Sequence, residues 1–322
     1  MAETRAGAGR RTKLTVVGAG SVGTAVAYAC LLRGSADVIA LYDIQAAKVR
    51  AEVLDLNHGT QFAPACRIEG SDDLAVTAGS DLIVVTAGAK QHPDQSRLDL
   101  AAANVTLVRE LIPHLLSASP GAVIVVVSNP VDVVTYAAIA ATGITDGRIF
   151  GSGTVLDSGR LRYLVAARAG VAVENVHGFV VGEHGDSEVA LWSGTTIGGV
   201  PVDSFRVDGR AVFGQQVRTE LFEQVVRSAY EIIRGKGATN LAIGLSTARI
   251  VEAVLRDQRR VLAVSTLQTG RPGLEEVCLS LPTIVDAGGA RTVLDVPMSD
   301  TEAAGLAASA ATLRQVQTSL GL

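Results

Sequence analysis

Five residues spread along this chain have the makings of a proton-transfer site with a clamp for a carboxylate. His184 lies in Gly182-Glu183-His184-Gly185, and imidazole is the one side chain that titrates near neutral pH unaided. The neighbouring glycines put it in a tight turn, not on an apolar face where a histidine merely packs. Asp157 and Arg160 stand three apart in a helical pattern, so both project from one face. The carboxylate can orient an imidazole and stabilise its cation. The guanidinium offers a planar fork to a carboxylate, a geometry that lysine lacks. Taken alone, the pair reads better as an ordinary surface ion pair. Arg97 and Gln91 share the polar stretch Lys90–Leu98, which follows an apolar strand and Gly88 and reads as a loop.

A second cluster is built from glycine. Gly18-Ala19-Gly20-Ser21-Val22-Gly23 follows one apolar run and opens a helical one. There Gly18 permits a tight turn, Gly20 lets a pyrophosphate approach the backbone, and Gly23 lets helix and strand pack closely. Asp43 ends the next strand, 20 residues beyond Gly23. Its carboxylate suits a ribose diol and would repel a 2′-phosphate, which favours NAD over NADP.

The elements that must position these groups alternate strand and helix through the first half. Strands are predicted at Leu14–Val17, Val38–Tyr42, Leu82–Thr86 and Ala122–Val127, with helices at Ser21–Leu32, Ala46–Leu56 and Leu100–Leu116. Short apolar strands alternating with helices imply a Rossmann-type, doubly wound parallel α/β sheet. The rhythm changes near Ser152. A helix at Val155–Ala169, a strand at Val176–Val181, and helices at Val212–Arg234 and Ala238–Leu255 are predicted. Strands at Val261–Leu267 and Val277–Ile284 and a last helix opened by the capping box Ser299–Glu302 complete an α+β half. The expected division is a disordered tail over 1–11, a nucleotide-binding domain over 12–151 and a substrate domain over 152–322.

Composition narrows the classes. The 322 residues are 48% hydrophobic and carry a net charge of -4, so a large core is affordable and a nucleic-acid partner is not indicated. Cys30, Cys66 and Cys278 form no CxxC pair, which argues against a disulfide framework or a metal site and for a reducing cytoplasm. The longest apolar run, Val123–Val127, is too short to span a bilayer, and no signal-peptide pattern opens the chain.

In order, Gly18–Gly23, Gln91–Arg97, Ser128-Asn129-Pro130-Val131-Asp132, Leu156–Arg160 and Gly182–Ser187 resemble the lactate/malate dehydrogenase family over nearly the whole chain after Arg11. The resemblance implies NAD-dependent hydride transfer to a 2-keto acid. It makes His184 the proton donor, Asp157 its partner, and Arg160 the clamp on the substrate carboxylate. Arg97 polarises the carbonyl from a loop that closes over the substrate. Asn129 contacts the reacting oxygen, and the Asn129–Pro130 bond is cis. The implied cofactor contacts are Gly18, Gly20, Val22, Gly23, Asp43, Lys48, Gly88, Ala89, Val127, Asn129 and Ser152.

Gln91 faces the substrate's variable group in this resemblance, where malate enzymes carry arginine. A second substrate carboxylate would lie unpaired against a neutral amide, so pyruvate is favoured over oxaloacetate. Thr239 matches a threonine that crowds the same end of the pocket. The sequence departs from common bacterial members at Asn240-Leu241, which replaces an aromatic pair. Arg162 and His177 match positions that bind fructose 1,6-bisphosphate between subunits of a homotetramer in activated bacterial members.

Overall fold

The computed structural model describes residues 11–89 and 97–322, with the backbone alone at Arg97. Gln91, the side chain of Arg97 and all of the expected tail except Arg11 therefore lie outside the described residues.

Six parallel strands run in the order β3-β2-β1-β4-β5-β6: Lys13–Val17 (β1), Val38–Tyr42 (β2), Arg67–Ser71 (β3), Leu82–Val85 (β4), Val123–Val126 (β5) and Ile149–Gly151 (β6). Helices Ser21–Leu32 (α1), Ala46–Gly59 (α2), Arg97–Ala118 (α3) and Val131–Thr142 (α4) make the crossovers. With helices on both faces, both sides of a strand must be apolar. Leu82, Ile83, Val84 and Val85 are accordingly all buried.

Beyond β6 the chain forms α5 (Val155–Ala169) and then short paired strands. These are Val176–His177 (β7), Val180–Val181 (β8), Val189–Ala190 (β9), Thr196–Ile197 (β10), Val200–Pro201 (β11), Arg206–Val207 (β12) and Arg210–Ala211 (β13). Helices Gln215–Lys236 (α6) and Leu241–Leu255 (α7) follow. Arg260–Leu267 (β14), Cys278–Asp286 (β15) and Gly289–Val293 (β16) then extend the same sheet antiparallel past β6, where Ser265 faces Gly151. Helix α8 (Asp300–Ser319) closes the chain, and its Ser299–Glu302 capping box is fully formed. The fold is a Rossmann-type parallel sheet joined to a C-terminal α/β region.

Side chains of α1, α2 and α7 pack on one face of the sheet, and those of α3, α4 and α8 on the other. A third core lies under the short strands, between Leu161 and Val165 of α5 and Leu221 and Val225 of α6.

Two expectations need correction, and one helix was not expected. Val176–Val181 is not one strand: β7 pairs with β10 and β8 with β9, because Gly178-Phe179 turns the chain between two partners. The helix expected from Val212 begins only at Gln215, after the β12–β13 hairpin. Helix α4 has no counterpart in the sequence reading. Val131, Val133, Val134 and Thr135 are β-branched and buried on every side, so neither propensity nor period marks them as helical.

Candidate active site

Strands β1, β4 and β5 end at one edge of the sheet, and each hands its chain to a loop there. Gly18 sits at φ 99°, and a Cβ on it would lie 2.7 Å from the Ala87 nitrogen. A Cβ on Gly23 would lie 1.8 Å from the Gly18 carbonyl oxygen, so helix and loop touch only because neither residue has a side chain. Gly20 differs: a Cβ there would meet nothing within 4 Å. It opens α1, where no side chain caps the free N–H groups, leaving a cradle shaped for a diphosphate.

Asp43 leans over this loop from the end of β2. Its Oδ2 accepts from the Ala19 nitrogen at 2.7 Å and its Oδ1 from that of Gln45 at 2.9 Å. Each oxygen keeps a lone pair for a ribose hydroxyl. Val22 lies in the first turn of α1 and Lys48 in the first turn of α2, both half-buried. Gly88 and Ala89 follow β4, while Val127 and Ser152 are buried at the ends of β5 and β6.

The Asn129–Pro130 bond is cis. Asn104, which the sequence reading passed over, ties Asn129 to the cofactor edge. Its Nδ2 donates to the Asn129 carbonyl and its Oδ1 accepts from the Ala89 nitrogen, both at 2.7 Å. The available signal was a single amide inside the apolar helical stretch Ala101–Leu116.

Four residues meet around Asp157 on the first turn of α5. Its Oδ2 accepts from His184 Nδ1 at 2.6 Å and its Oδ1 from Arg160 Nη1 at 2.6 Å. Burial opposes the Asp157 anion, but His184 and Arg160 outweigh it and hold the carboxyl below its usual range. Burial likewise opposes the His184 cation, and the Asp157 charge and hydrogen bond, aided by Asp132, raise its pKa to about 9. Buried Asp132, from α4, accepts from the His184 backbone N–H at 2.7 Å and fixes the turn. Burial pushes its own pKa to about 6 against the pull of its hydrogen-bond donors.

Glu188 is the fourth member and was also missed. It is buried, and its oxygen, an Asp157 oxygen and a His184 ring nitrogen lie within 4.8 Å of one another. The guanidinium of Arg160 already stands against Asp157 where a cation would, so the cluster reads as a proton and anion site rather than a metal centre. Thr239 is half-buried between α6 and α7, and among the described residues no hydrogen bond joins it to this cluster.

Arg162 turns away from the cluster, as its place two residues past Arg160 requires. Its Nε donates to the Gly178 carbonyl at 2.9 Å, and its guanidinium lies 5.1 Å from the centre of the Phe179 ring. Gly178 follows His177, which is exposed on β7. No described helix is long and apolar enough to cross a membrane. All three cysteines are free, Cys30 and Cys278 being buried.

A doubly wound sheet with a glycine cradle at its carboxyl edge, and a buried histidine–aspartate–arginine cluster beside it, define a nucleotide-dependent dehydrogenase. Residues 12–151 match the NAD binding domain of the lactate/malate dehydrogenase family, and residues 154–319 match its alpha/beta C-terminal domain. The chain belongs to that family and is an NAD-dependent oxidoreductase. It is 47% identical to an L-lactate dehydrogenase of Bifidobacterium animalis subsp. lactis, over 96% of this chain and 97% of that one. Identity to an L-lactate dehydrogenase of a Synechococcus species is 48%, over 94% and 98% of the two chains. The crystal structure of the ligand-bound minor L-lactate dehydrogenase from Enterococcus mundtii superposes with a TM-score of 0.91 at 37% identity, covering 96% of this chain and 98% of that one.

Proposed function

We propose that the protein is an L-lactate dehydrogenase interconverting pyruvate and L-lactate. The observation that carries this reading is the double engagement of Asp157, with His184 on one oxygen and Arg160 on the other. NADH, when bound across Gly18, Gly20, Gly23 and Asp43, supplies the hydride. His184 keeps Nδ1 on Asp157 and presents Nε2 to the substrate oxygen, giving it a proton in reduction and taking one in oxidation. Arg160 is anchored to Asp157 by one nitrogen, and its remaining donors receive the substrate carboxylate. Asn129 orients the carbonyl, Arg97 polarises it, and Gln91 with Thr239 bounds the end that takes a methyl group. The cofactor set also includes Val22, Lys48, Gly88, Ala89, Val127 and Ser152. Residues 12–151 form the cofactor domain and 152–322 the substrate domain.

The test is a steady-state assay with NADH and a panel of 2-keto acids. The expected result is a kcat/KM for pyruvate well above that for oxaloacetate, and Gln91→Arg should reverse the preference. Faster turnover of oxaloacetate by the unaltered enzyme would make it a malate dehydrogenase instead.

The contact of Arg162 with Gly178, the residue after His177, supports a regulatory reading. In a homotetramer, two copies of each residue would gather around fructose 1,6-bisphosphate across a two-fold axis and favour the subunit arrangement that places Arg160 correctly. Pyruvate saturation should then move to lower pyruvate concentration when the bisphosphate is added. Superimposable curves would remove the activator. Three free cysteines fit a cytoplasmic enzyme.

A further inference from the structure

The buried polar groups of the cluster do not all have a use in the mechanism above. Glu188 stands four residues after His184, and its carboxyl lies within 4.8 Å of the reactive atoms of both Asp157 and His184. Only 7% of the residue is exposed. Its backbone N–H closes the turn on the Gly185 carbonyl at 3.3 Å. The described charged groups facing the carboxyl are Asp157 and Arg160 from α5 and His184 and Glu183 from its own turn, with Asp132 of α4 on the backbone N–H of His184. No hydrogen bond from a described residue offsets the loss of water around it.

A charge count shows what such a group decides. Counting only Asp157 and the groups within reach of it, with His184 protonated and Glu188 neutral, Arg160 and His184 leave one positive charge in excess. Asp132, ionised above about pH 6, is bonded to the His184 backbone N–H and adds the same charge to both states. A single substrate carboxylate cancels that charge. With Glu188 ionised, the empty cluster is already balanced, and a bound carboxylate leaves a buried negative charge without a partner. We propose that Glu188 is a positioning residue whose neutral carboxyl holds the cluster at the charge that admits one substrate carboxylate, and whose loss of a proton closes the site to that substrate. Burial first, and then the charge on Asp157, push the Glu188 carboxyl well above the ordinary carboxylate range, so the neutral form is the resting one. The cation on His184 favours the Glu188 anion, so the two groups lose their protons as a coupled pair, and lactate binds the state from which one proton has gone.

This rests on the reading of the site as a 2-hydroxy-acid dehydrogenase, and the two directions of that reaction isolate Glu188. Lactate binds to neutral His184 beside oxidised NAD, whose nicotinamide carries the positive charge that the imidazole has given up, so loss of the imidazole proton by itself improves lactate binding. Only a second titration makes it worse. The experiment measures the KM for lactate and for pyruvate from pH 6 to pH 10.5 in the wild type and in Glu188→Gln, each normalised to its own value at pH 7. The wild-type lactate KM is expected to fall and then rise by about tenfold per pH unit, while kcat holds. In Glu188→Gln the rise disappears. For pyruvate the wild-type KM rises with the slope of two protons and the variant with that of one. A wild-type lactate KM that never rises, or a rise that Glu188→Gln retains, overturns the proposal. An enzyme inactive with every 2-keto acid would refute the underlying reading instead. Glu188 is then judged by infrared difference spectroscopy of the NADH-bound protein, where a protonated-carboxyl band at neutral pH is expected and must vanish in Glu188→Gln. Its absence from the wild type overturns the proposal independently of turnover.

Discussion

The cofactor edge and the catalytic cluster adjoin one another but are built from opposite materials. The edge is made of missing side chains: Gly18, Gly20 and Gly23 act through what they leave empty, within six residues of chain. The cluster is made of charged side chains drawn from α4, α5 and the turn after β8, with Asp157 holding His184 and Arg160 and Asp132 holding the His184 backbone. Added volume should therefore damage the first region and altered charge the second, with little crossover between them.

The largest effect is expected where charge is removed from the cluster. His184→Asn should lower kcat by roughly 10²–10⁴-fold while NADH binding, read by fluorescence titration, stays within a few-fold of the wild type. Asp157→Asn should follow, through the pH profile. In the folded protein His184 carries its proton until about pH 9, so pyruvate reduction should decline as pH rises through that value and lactate oxidation should climb. Replacing Asp157 removes the main group that raises this pKa, and both limbs should move to lower pH. The same pairing contributes stability that is complete below the unfolded value near 6.5 and is lost as pH climbs through about 9. Thermal unfolding against pH should show that decline in the wild type and much less of it in Asp157→Asn. Unmoved kinetic limbs in the variant would assign the raised pKa to some other neighbour.

A smaller effect is expected from volume at the edge. A methyl group on Gly23 would fall 1.8 Å from the Gly18 carbonyl, so α1 must shift from its loop. Gly23→Ala should weaken NADH binding by roughly 5–150-fold, the range of 1–3 kcal/mol of overpacking. Its kcat, measured at saturating NADH, should change far less. If Gly23→Ala lowered kcat as deeply as His184→Asn, the two regions would be one mechanical unit and the division would fail.

The same contrast explains what the sequence disclosed. The glycine motif, its flanking strand and helix, and Asp43 are contiguous, so period and spacing suffice to place them. Asp157 and Arg160 share a helix face, and His184 is marked by its glycines. Asp132, Glu188 and Asn104 were legible only as residue types. Their roles depend on which distant element lies opposite, and α4, which carries Asp132, was itself hidden by β-branched residues. The split of Val176–Val181 into β7 and β8 was likewise invisible, because partners for each half come from different strands.

Asn104 supplies the finest test, since it alone touches both materials. Its amide is buried within α3, and it clasps the Ala89 nitrogen on the cofactor side and the Asn129 carbonyl on the substrate side. Asn104→Ala leaves the Ala89 N–H and the Asn129 carbonyl without this partner; both residues are exposed, so water can replace it and the loss is that of a net hydrogen bond or two, about 1 kcal/mol each. Part of that goes to stability and part to position, because Ala89 and Asn129 both lie where ligands approach. The KM values for NADH and for pyruvate should rise together, each by about tenfold or less, with kcat falling less than in Gly23→Ala or His184→Asn. Asn104→Asp sharpens the result. A carboxylate can still accept from the Ala89 N–H but repels the Asn129 carbonyl, so the NADH term should recover while the pyruvate term does not. Parallel recovery of both terms in Asn104→Asp would show that the amide works as one packing unit and does not join two regions with separate physics.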